Sequence, residues 1–283
     1  MELLITGSTG FIGTRLQKQF KEKYNIKNFS FLQNDFQKLK LSGVDVVVHL
    51  SALVHQMKKE PTYKQYHDVN VQNTIDLAKK AKERGVKQFV FMSTIAVYGE
   101  NSENVSEISD LKPITPYGKS KLKAEEELQK IEEESFIVSI IRPPMIYGDN
   151  APGNTKSLIN IVKIIPILPF ADIKNKRSFV YIGNLCYMID KIIETRMGGV
   201  FLAADDKPIS TTELIMLISK AMGKKRILVK IPFFEKVLKI LKPSIHKKLY
   251  GNLVVDNSAT KERLNFRNRY STEEGIRLMI KGL

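Results

Sequence analysis

The sequence predicts an α/β protein with a Rossmann-type, doubly wound parallel sheet and a smaller, mixed C-terminal lobe. Short apolar segments of strand length alternate with helical segments in the first half of the 283-residue chain, a pattern typical of parallel sheets covered by helices. A glycine-rich segment separates the first strand from the first helix. After Gly148 the alternation gives way to turn-forming and proline-rich sequence, where the lobe is expected to begin.

The first element is a buried strand, Glu2–Thr6, which leads into GSTGFIG at residues 7–13. A helix running towards Tyr24 begins within this segment. Glycines between a strand and a helix allow a tight turn and a close approach of the backbone to a pyrophosphate, and the helix N-terminus favours the phosphate charge. We therefore predict a dinucleotide site, although the spacing differs from GxGxxG.

The second strand is expected at Asn28–Leu32. A Rossmann protein that binds NAD usually has an acidic residue after this strand, whereas one that binds NADP has an arginine nearby. This chain has Gln33 and Asn34 there, followed by Asp35. The choice between NAD and NADP therefore stays open.

The next three strands complete the predicted sheet. The apolar segment 44–50 is expected to be buried on both faces. Ser93 and Thr94 follow the fourth strand, so their hydroxyls are expected at the carboxyl edge of the sheet, where open α/β folds bind ligands. The remaining elements are a helix over Pro61–Arg84, a strand over Gln88–Met92, a helix over Thr115–Glu134 and a strand over Phe136–Ile141.

The helix over 115–134 carries YGKSK near its beginning. Tyr117 and Lys121 are four residues apart and share one face of the helix. The ammonium of Lys121 is therefore expected to favour the phenolate of Tyr117 and to lower its pKa. In isolation, YxxxK is more often an ordinary solvated helix face, but the hydroxyl of Thr94 upstream favours a proton-transfer site. The glutamate runs at 125–127 and 132–134 are expected on solvated helix faces.

The chain beyond the fifth strand is predicted to contribute to both the dinucleotide-binding domain and the substrate-binding lobe. The dinucleotide-binding domain is expected to comprise residues 1–152 and about 177–195, and the substrate-binding lobe about 153–176 and 196–283. Within this part, strands are expected at Phe179–Ile182, returning to the sheet, and at Val200–Ala203, and a helix at Thr211–Met222.

Composition excludes several classes of protein. A single cysteine excludes an internal disulfide and a cysteine-based zinc site, and no metal is expected. No leader and no apolar segment of the ~20 residues that span a membrane are found, so a cytoplasmic location is expected. The net charge of +15 attracts anionic partners, but the basic residues are spread along the chain without a base-reading motif, which argues against a nucleic-acid partner.

Five motifs, in this order, resemble the extended short-chain dehydrogenase/reductase family of nucleotide-sugar enzymes: GSTGFIG, HLSA, STIAVYG, YGKSK and RPPMIYG. The likeness covers nearly the whole chain. Within the family, HLSALVHQM, RPPMIYG, KNKRSFVYIGNL and LYGNLVVD are similar to bacterial polysaccharide-pathway enzymes that reduce a UDP-4-keto-6-deoxy-N-acetylhexosamine at C4, for example to UDP-N-acetylquinovosamine. The resemblance implies an NAD(P)H-dependent 4-ketoreductase. A UDP-hexose 4-epimerase is the alternative, and a non-catalytic dinucleotide sensor is a third reading.

The resemblance also implies a role for each matching residue. Tyr117 is expected to be the acid/base, Thr94 to bind the reacting oxygen, and Lys121 to hold the charge of Tyr117 and the cofactor ribose. The implied cofactor-binding residues are Gly7, Thr9, Gly10, Phe11, Ile12, Gly13, Asp35, Phe36, Leu50, Ala52, Asn70, Ser93, Tyr117, Lys121, Pro144 and Ile146. The implied substrate-binding residues are His55, Thr94, Asn154, Arg177, Tyr250 and Asn252.

Some of these assignments have a structural alternative. Asn70 is equally well explained as a buried amide that bridges two backbone segments. Arg177 is expected to bind the diphosphate of UDP, with a surface charge as the alternative. Met145 stands where many relatives have a substrate-binding asparagine. The basic run 242–248 is either a solvated face or a weak membrane-surface patch, and a homodimer is left open.

Overall fold

The computed structural model of the protein describes residues 1–54, 61–99 and 103–282. These residues form twelve strands: β1 Glu2–Thr6, β2 Asn25–Phe29, β3 Val46–His49, β4 Gln88–Met92, β5 Asn104–Val105, β6 Ile137–Arg142, β7 Met145–Tyr147, β8 Ile167–Leu168, β9 Phe179–Tyr181, β10 Gly199–Leu202, β11 Ile227–Leu228 and β12 Val254–Val255. They also form eleven α-helices: α1 Phe11–Phe20, α2 Tyr63–His67, α3 Asn73–Glu83, α4 Pro116–Ile131, α5 Asn154–Ile164, α6 Ile182–Thr195, α7 Thr211–Ala221, α8 Phe234–Leu241, α9 Pro243–Tyr250, α10 Ser258–Arg263 and α11 Thr272–Lys281.

Six parallel strands form the central sheet in the order β2-β1-β3-β4-β6-β10. The strand order reverses direction between β1 and β3, and ligands of such sheets bind at the carboxyl ends of the strands beside that point. The predicted Rossmann-type α/β fold is confirmed. The segments that follow β1 and β3 are therefore the first place to look for a dinucleotide site.

Helices cover both faces of this sheet because its strands are apolar on both sides. Successive side chains of a strand point to opposite faces, so Leu3 and Ile5 of β1 pack with α1 and α6, whereas Leu4 packs with α3 and α4. Every residue of β3 and β4 is buried. The single cysteine, Cys186, lies in this core on α6.

The second strand is displaced from its predicted position, and the prediction of Asn28–Leu32 was wrong by three residues. The strand is Asn25–Phe29, at the edge of the sheet, where only its last residue is buried. Its outward-facing residues are polar, so apolarity did not reveal where it begins. Phe31, which suggested a longer strand, lies beyond it and stacks on Phe36 at 5.8 Å between ring centroids.

Two later strands differ from the prediction in the sheet to which they belong. Phe179–Tyr181 pairs with Met145–Tyr147 in a separate two-stranded ribbon and does not return to the central sheet. Gly199–Leu202 is the sixth strand of that sheet, beside β6. This strand therefore lies in the sheet although its residues fall within the range predicted for the lobe, and the rest of the predicted division into two regions stays a prediction.

The remaining short strands pair outside the sheet, β8 with β11 and β5 with β12. The predicted helix over 61–84 is divided into α2, a π-helical turn at Asp68–Gln72 and α3. Among the helices of the described residues, none is long and apolar enough to cross a membrane.

Candidate active site

The turn after β1 is shaped for a close approach of the backbone to a ligand. Gly7 has a φ of +68°, and a Cβ there would lie 2.7 Å from the backbone nitrogen of Ser51, after β3. A Cβ on Gly13 would lie 2.3 Å from the carbonyl oxygen of Gly7. Only glycine fits at both positions, so the first turn of α1 packs tightly on the β1 loop with its free N–H groups facing outward.

An open cavity of about 460 Å³ lies at this helix N-terminus. It is lined by Thr9, Gly10 and Phe11, and Arg15 on its wall lies 3.9 Å from Asp149. Backbone N–H groups, a helix N-terminus and an arginine form a site with the chemistry of a phosphate binder. These residues fit the pyrophosphate of the predicted dinucleotide.

Asn70 holds the segment after β3 against α4. Its side-chain oxygen accepts a hydrogen bond from the backbone nitrogen of Leu53 at 2.7 Å, and its amide nitrogen donates to the Leu53 carbonyl at 3.0 Å and to Ser120 Oγ at 3.0 Å. This is the bridging geometry of the structural alternative, and it positions the neighbouring Leu50 and Ala52. A direct contact of Asn70 with a cofactor stays a prediction.

Asp35 and Phe36 lie at the other end of the predicted cofactor site. The carboxylate of Asp35 is exposed and accepts a hydrogen bond from the backbone nitrogen of Gln37 at 2.9 Å, which caps a short 3₁₀ turn. Phe36 is half-buried, with the ammonium of Lys80 4.8 Å from its ring centre. Their predicted contact with the adenine stays a prediction.

Thr94 and Tyr117 are brought together by the way α4 begins. Thr115 caps the helix by accepting a hydrogen bond from the backbone nitrogen of Gly118 at 3.1 Å, so Tyr117 lies in the first turn. A Cβ on Gly118 would lie 2.8 Å from the carbonyl oxygen of Ala96, so a glycine lets this turn approach the segment after Thr94. Thr94 Oγ1 accepts a hydrogen bond from the backbone nitrogen of Ala96 at 3.2 Å, which caps the following 3₁₀ turn, and the hydroxyl lies close enough to Tyr117 to lower the pKa of its phenol.

The pKa of Tyr117 is raised to about 12, first by burial and then by the neighbouring Tyr66, while Thr94 acts to lower it. The lowering expected from Lys121 together with a nicotinamide ring stays a prediction. Lys121 Nζ donates to the carbonyl oxygen of Met92 at 2.8 Å and lies 4.5 Å from the ring centre of Phe91. Its charge points into the sheet and is not paired with the phenol.

Lys121 is 2% exposed, and burial lowers its pKa to about 7, although the charge of Glu125 acts in the opposite direction. A buried amine with a pKa near neutrality can be charged or neutral at physiological pH. Its state is therefore sensitive to any added charge or hydrogen-bond partner in the site. This property is typical of a functional lysine.

A buried polar network that the sequence did not suggest lies beneath these residues. Glu125 accepts a hydrogen bond from the hydroxyl of Ser93 and forms an ion pair with Arg142, whose Nε lies 3.1 Å from Glu125 Oε1. Arg142 Nη1 also donates to the hydroxyl of Tyr98 at 2.6 Å. The network links the ends of β4 and β6 to α4, so it fixes the helix that carries Tyr117.

The signal for this network was present in the helical spacing. Glu125 follows Lys121 by four residues, as Lys121 follows Tyr117, so the three share one face of α4. The prediction that Glu125 lies on a solvated helix face was wrong. Glu125 and Arg142 are 1% and 3% exposed, because the inward face of α4 lies against the sheet.

A cavity of about 360 Å³ extends from Thr94 towards α9. Pro144 and Met145 line it near Thr94, and Lys247 and Lys248 line it on α9. Arg177 also lines it, half-buried, and donates through Nη1 to the carbonyl oxygens of Gly251 at 3.0 Å and Lys247 at 3.3 Å. Arg177 is therefore not a surface charge, and its burial lowers its pKa from the ordinary arginine value.

Asn252 lines the same cavity, where its side-chain oxygen accepts a hydrogen bond from the backbone nitrogen of Lys176 at 2.9 Å. Tyr250 lines a neighbouring cleft and stacks on His246 at 5.1 Å. Asn154 is the first residue of α5. His55 lies outside the described residues. The two lysines of α9 were not predicted as site residues, because a run of surface lysines has no distinctive spacing.

Residues 3–203 match the family model described as the NAD dependent epimerase/dehydratase family. The chain belongs to this family. The resemblance to extended short-chain dehydrogenases/reductases is thereby confirmed at the level of the family, and the protein is an enzyme of the epimerase/dehydratase type. The finer assignment to 4-ketoreductases stays a prediction, as do the homodimer and the cytoplasmic location.

Two sequence relatives within this family are 4-epimerases. A UDP-glucose 4-epimerase of Vibrio cholerae is 35% identical over 97% of this chain and 93% of that protein. The N-acetyl-alpha-D-glucosaminyl-diphospho-ditrans,octacis-undecaprenol 4-epimerase of Escherichia coli O157:H7 is 31% identical over 79% of this chain and 73% of that protein.

Solved structures share the fold at lower identity. The UDP-glucuronic acid 4-epimerase of Bacillus cereus, in complex with NAD, superposes with a TM-score of 0.79 at 22% identity, over 100% of this chain and 96% of that chain. RMD of Pseudomonas aeruginosa, complexed with NADPH, has a TM-score of 0.78 at 18% identity, over 99% of this chain and 98% of that chain. The same backbone thus accompanies either dinucleotide in these two proteins.

Proposed function

We propose that the protein is a nicotinamide-dinucleotide-dependent 4-epimerase of a hexose or N-acetylhexosamine carried on a diphosphate. One observation carries this proposal. Thr94, next to Tyr117, lies at one end of a cavity whose other end is cationic, with Arg177, Lys247 and Lys248. A sugar held by its diphosphate at the cationic end would extend its ring towards the two hydroxyls. The two 4-epimerase relatives support this reaction over a net reduction.

The dinucleotide fits the residues that would hold it. Gly7 and Gly13 leave room that a Cβ would fill, the N-terminus of α1 receives the pyrophosphate, and Lys121 lies where a ribose hydroxyl would be bound in relatives that share YGKSK. When bound, the nicotinamide ring supplies the oxidation and reduction at C4 of the sugar. The choice between NAD and NADP is decided by the cofactor that copurifies.

Tyr117 moves the proton in this mechanism. The phenolate oxygen of Tyr117 accepts the proton of the sugar 4-hydroxyl while C4 becomes a ketone. After the sugar ring has rotated to present its other face, Tyr117 returns the proton to the oxygen on C4. The hydroxyl of Thr94 donates a hydrogen bond to that oxygen and stabilises its partial negative charge. Because the ligand-free Tyr117 has its pKa raised to about 12, the phenolate requires additional positive charge near its oxygen in the ligand-bound enzyme.

The test begins with purified full-length enzyme and UDP-N-acetylglucosamine or UDP-glucose, with the sugar products identified by NMR. We expect interconversion of the C4 epimers with no net change in reduced cofactor. The variant Tyr117→Phe is expected to lower turnover by about 10³-fold while bound cofactor is retained. Tyr63→Phe, which alters an exposed tyrosine, is the matched control and should leave turnover unchanged.

The 4-ketoreductase predicted from HLSALVHQM and RPPMIYG has a distinct signature. It would oxidise reduced cofactor stoichiometrically when given a UDP-4-keto-6-deoxy-N-acetylhexosamine, and it would not interconvert the 4-epimers of a hydroxyl sugar. That outcome would replace the epimerase proposal. Normal turnover by Tyr117→Phe in either assay would remove Tyr117 as the proton carrier.

A further inference from the structure

The hairpin of α8 and α9 presents apolar side chains to solvent in a way no other described helix does. Phe233, Ile240 and Leu241 are 72%, 78% and 69% exposed. None of the residues of α8 or α9 is buried. Val237 and Ile240, three residues apart on the outward side of α8, are 49% and 78% exposed, and Leu241 is the last residue of the helix. The inward face of α8 is formed by Phe234, whose ring packs on Phe170 at 6.4 Å.

The backbone itself turns an aromatic ring outward at the start of α8. Phe233 has a φ of 63°, in the left-handed region that bulky residues rarely adopt. The ammonium of Lys236 lies 5.8 Å from its ring centre. An exposed aromatic ring beside a lysine suits a boundary between apolar and polar surroundings, because the ring is apolar and the ammonium is polar.

This surface is also the most basic part of the chain. Residues 224–248 contain nine Lys or Arg residues and one acidic residue, so they hold about half of the net charge of +15. The acidic residue, Glu235, is paired with His246 at 3.3 Å. An amphipathic helix with exposed large apolar residues and flanking lysines is typical of segments that lie in the interface of an anionic lipid bilayer.

The surface adjoins the candidate active site. A cleft of about 600 Å³ runs beside Phe233 and Lys236 and reaches Asn252, which also lines the cavity that leads to Thr94. The helix α9, which packs against α8, carries Lys247 and Lys248 into that cavity. The cleft beside the exposed apolar helix and the cavity lined by Thr94 thus meet at Asn252, and together they are called the groove.

We propose that the α8–α9 hairpin docks the enzyme on the surface of an anionic lipid bilayer. Phe233, Ile240 and Leu241 enter the headgroup region, and Lys236, Lys239 and Lys242 bind the lipid phosphates. Docking places the open end of the groove at the bilayer. Only this last consequence rests on the proposed function, since it allows a diphosphate-linked sugar carried on a lipid to reach Thr94 without leaving the membrane.

The absence of tryptophan from the chain provides a direct probe. In full-length Phe233→Trp, the single indole is expected to shift its emission to the blue and to gain intensity on addition of vesicles of phosphatidylcholine with about one third phosphatidylglycerol. Leu32→Trp, at a position 97% exposed elsewhere on the molecule, is the matched control and should not respond. No response of the indole in Phe233→Trp, or an equal response in both variants, overturns the proposal.

Charge is tested by co-sedimentation with the same vesicles. The triple variant that neutralises lysines on this surface is expected to lower the vesicle partition coefficient about 100-fold, at about one tenfold step for each 1.4 kcal/mol of lost attraction; its substitutions are Lys236→Gln, Lys239→Gln and Lys242→Gln. The control triple, with the same net charge, should bind like the native protein; its substitutions are Lys40→Gln, Lys79→Gln and Lys87→Gln. Equal losses in the two triples would mean that net charge alone is responsible, and would overturn the proposal.

The apolar contribution is tested with Ile240→Ser combined with Leu241→Ser. We expect this variant to lose at least tenfold in vesicle binding, to keep its thermal unfolding midpoint, and to keep turnover of a water-soluble nucleotide sugar. Turnover in solution reports on the proposed function, and vesicle binding reports on docking, so failure of one is distinct from failure of the other. If the native protein self-associates without vesicles and this variant becomes monomeric with unchanged vesicle binding, a second copy covers the face and the bilayer proposal is wrong.

Discussion

The central sheet and the α8–α9 hairpin contain the same kinds of apolar residue, but these residues are buried in the sheet and exposed in the hairpin. Leu4 in β1 is buried between the sheet and its helices, whereas Leu241 in α8 is exposed. In the sheet, apolar side chains supply the free energy that holds the catalytic residues in place. In the hairpin they contribute little to folding and remain available to a partner. Burial thus makes the sheet the main source of stability, and the exposure of the hairpin is what the docking proposal explains.

The largest effect on stability is expected in the buried network beneath the active site. Glu125→Gln leaves the guanidinium of Arg142 buried without its counter-charge, and removal of one partner of a buried ion pair costs about 3–5 kcal/mol. Urea unfolding measures this loss. Glu133→Gln removes an exposed ion pair with Lys82 and should leave the unfolding midpoint unchanged. Equal midpoints for the two variants would show that the network does not stabilise the sheet.

A matched pair of leucine truncations tests the contrast between the two regions. Leu4→Ala is expected to lower the free energy of unfolding by about 2–5 kcal/mol, because it leaves a cavity in the core. Leu241→Ala is expected to change it by less than about 0.5 kcal/mol. Both are measured by urea unfolding of the ligand-free enzyme. A large loss for Leu241→Ala would mean that the exposed face of α8 is covered in solution.

Lys121 gives the sheet a pH-dependent stability. Its pKa is about 7 in the folded protein and 10.5 as the ordinary value, so between these values the unfolded chain binds a proton that the folded protein does not. Stability therefore rises with pH across this window, and the full cost of burying the ammonium is present below it. In Lys121→Met this rise, on the order of a few kcal/mol, should disappear. The free energy of unfolding measured across the window gives the result, and an unchanged slope would contradict it.

A small gain in stability is expected at Phe233. Asparagine tolerates the left-handed backbone better than phenylalanine, so Phe233→Asn is expected to stabilise the protein by about 0.5–1 kcal/mol while weakening vesicle binding. A gain in stability together with a loss of vesicle binding would separate the role of the Phe233 ring in docking from its role in folding. A loss of stability would indicate instead that the ring of Phe233 packs in the folded protein.

The sequence predicted most of the sheet, because local signals determine it, and the predicted catalytic residues Thr94 and Tyr117 lie next to each other in the fold. The glycines after β1 indicate a tight turn, and the apolar runs of β3 and β4 indicate buried strands. The polar edge strand β2 and the pairing of β9 and β10 could not be predicted, since they depend on contacts between distant segments. The network of Glu125 and Arg142 was missed for the same reason: a glutamate is placed on a solvated face by default, and only the packed sheet shows that it is enclosed.

The predicted roles of the site residues depend on ligands in different degrees. Thr94 lies next to Tyr117 and affects the pKa of its phenol, so their juxtaposition is a property of the fold. The lowered pKa expected for Tyr117 beside Lys121 and a nicotinamide ring stays a prediction; in the fold itself burial raises the pKa of the phenol, and the ammonium of Lys121 donates to the carbonyl oxygen of Met92. Spacing on a helix fixes which face a residue is on, but it does not fix the direction of a long side chain.

The position of Cys186 provides a way to observe the two regions separately. It is the single cysteine of the chain, it lies in the core on α6, and burial raises the pKa of its thiol to about 12. A thiol reagent can therefore react only when α6 separates from the sheet. The rate of thiol modification therefore measures opening of the sheet. Binding of α8 to a vesicle is expected to leave this rate unchanged.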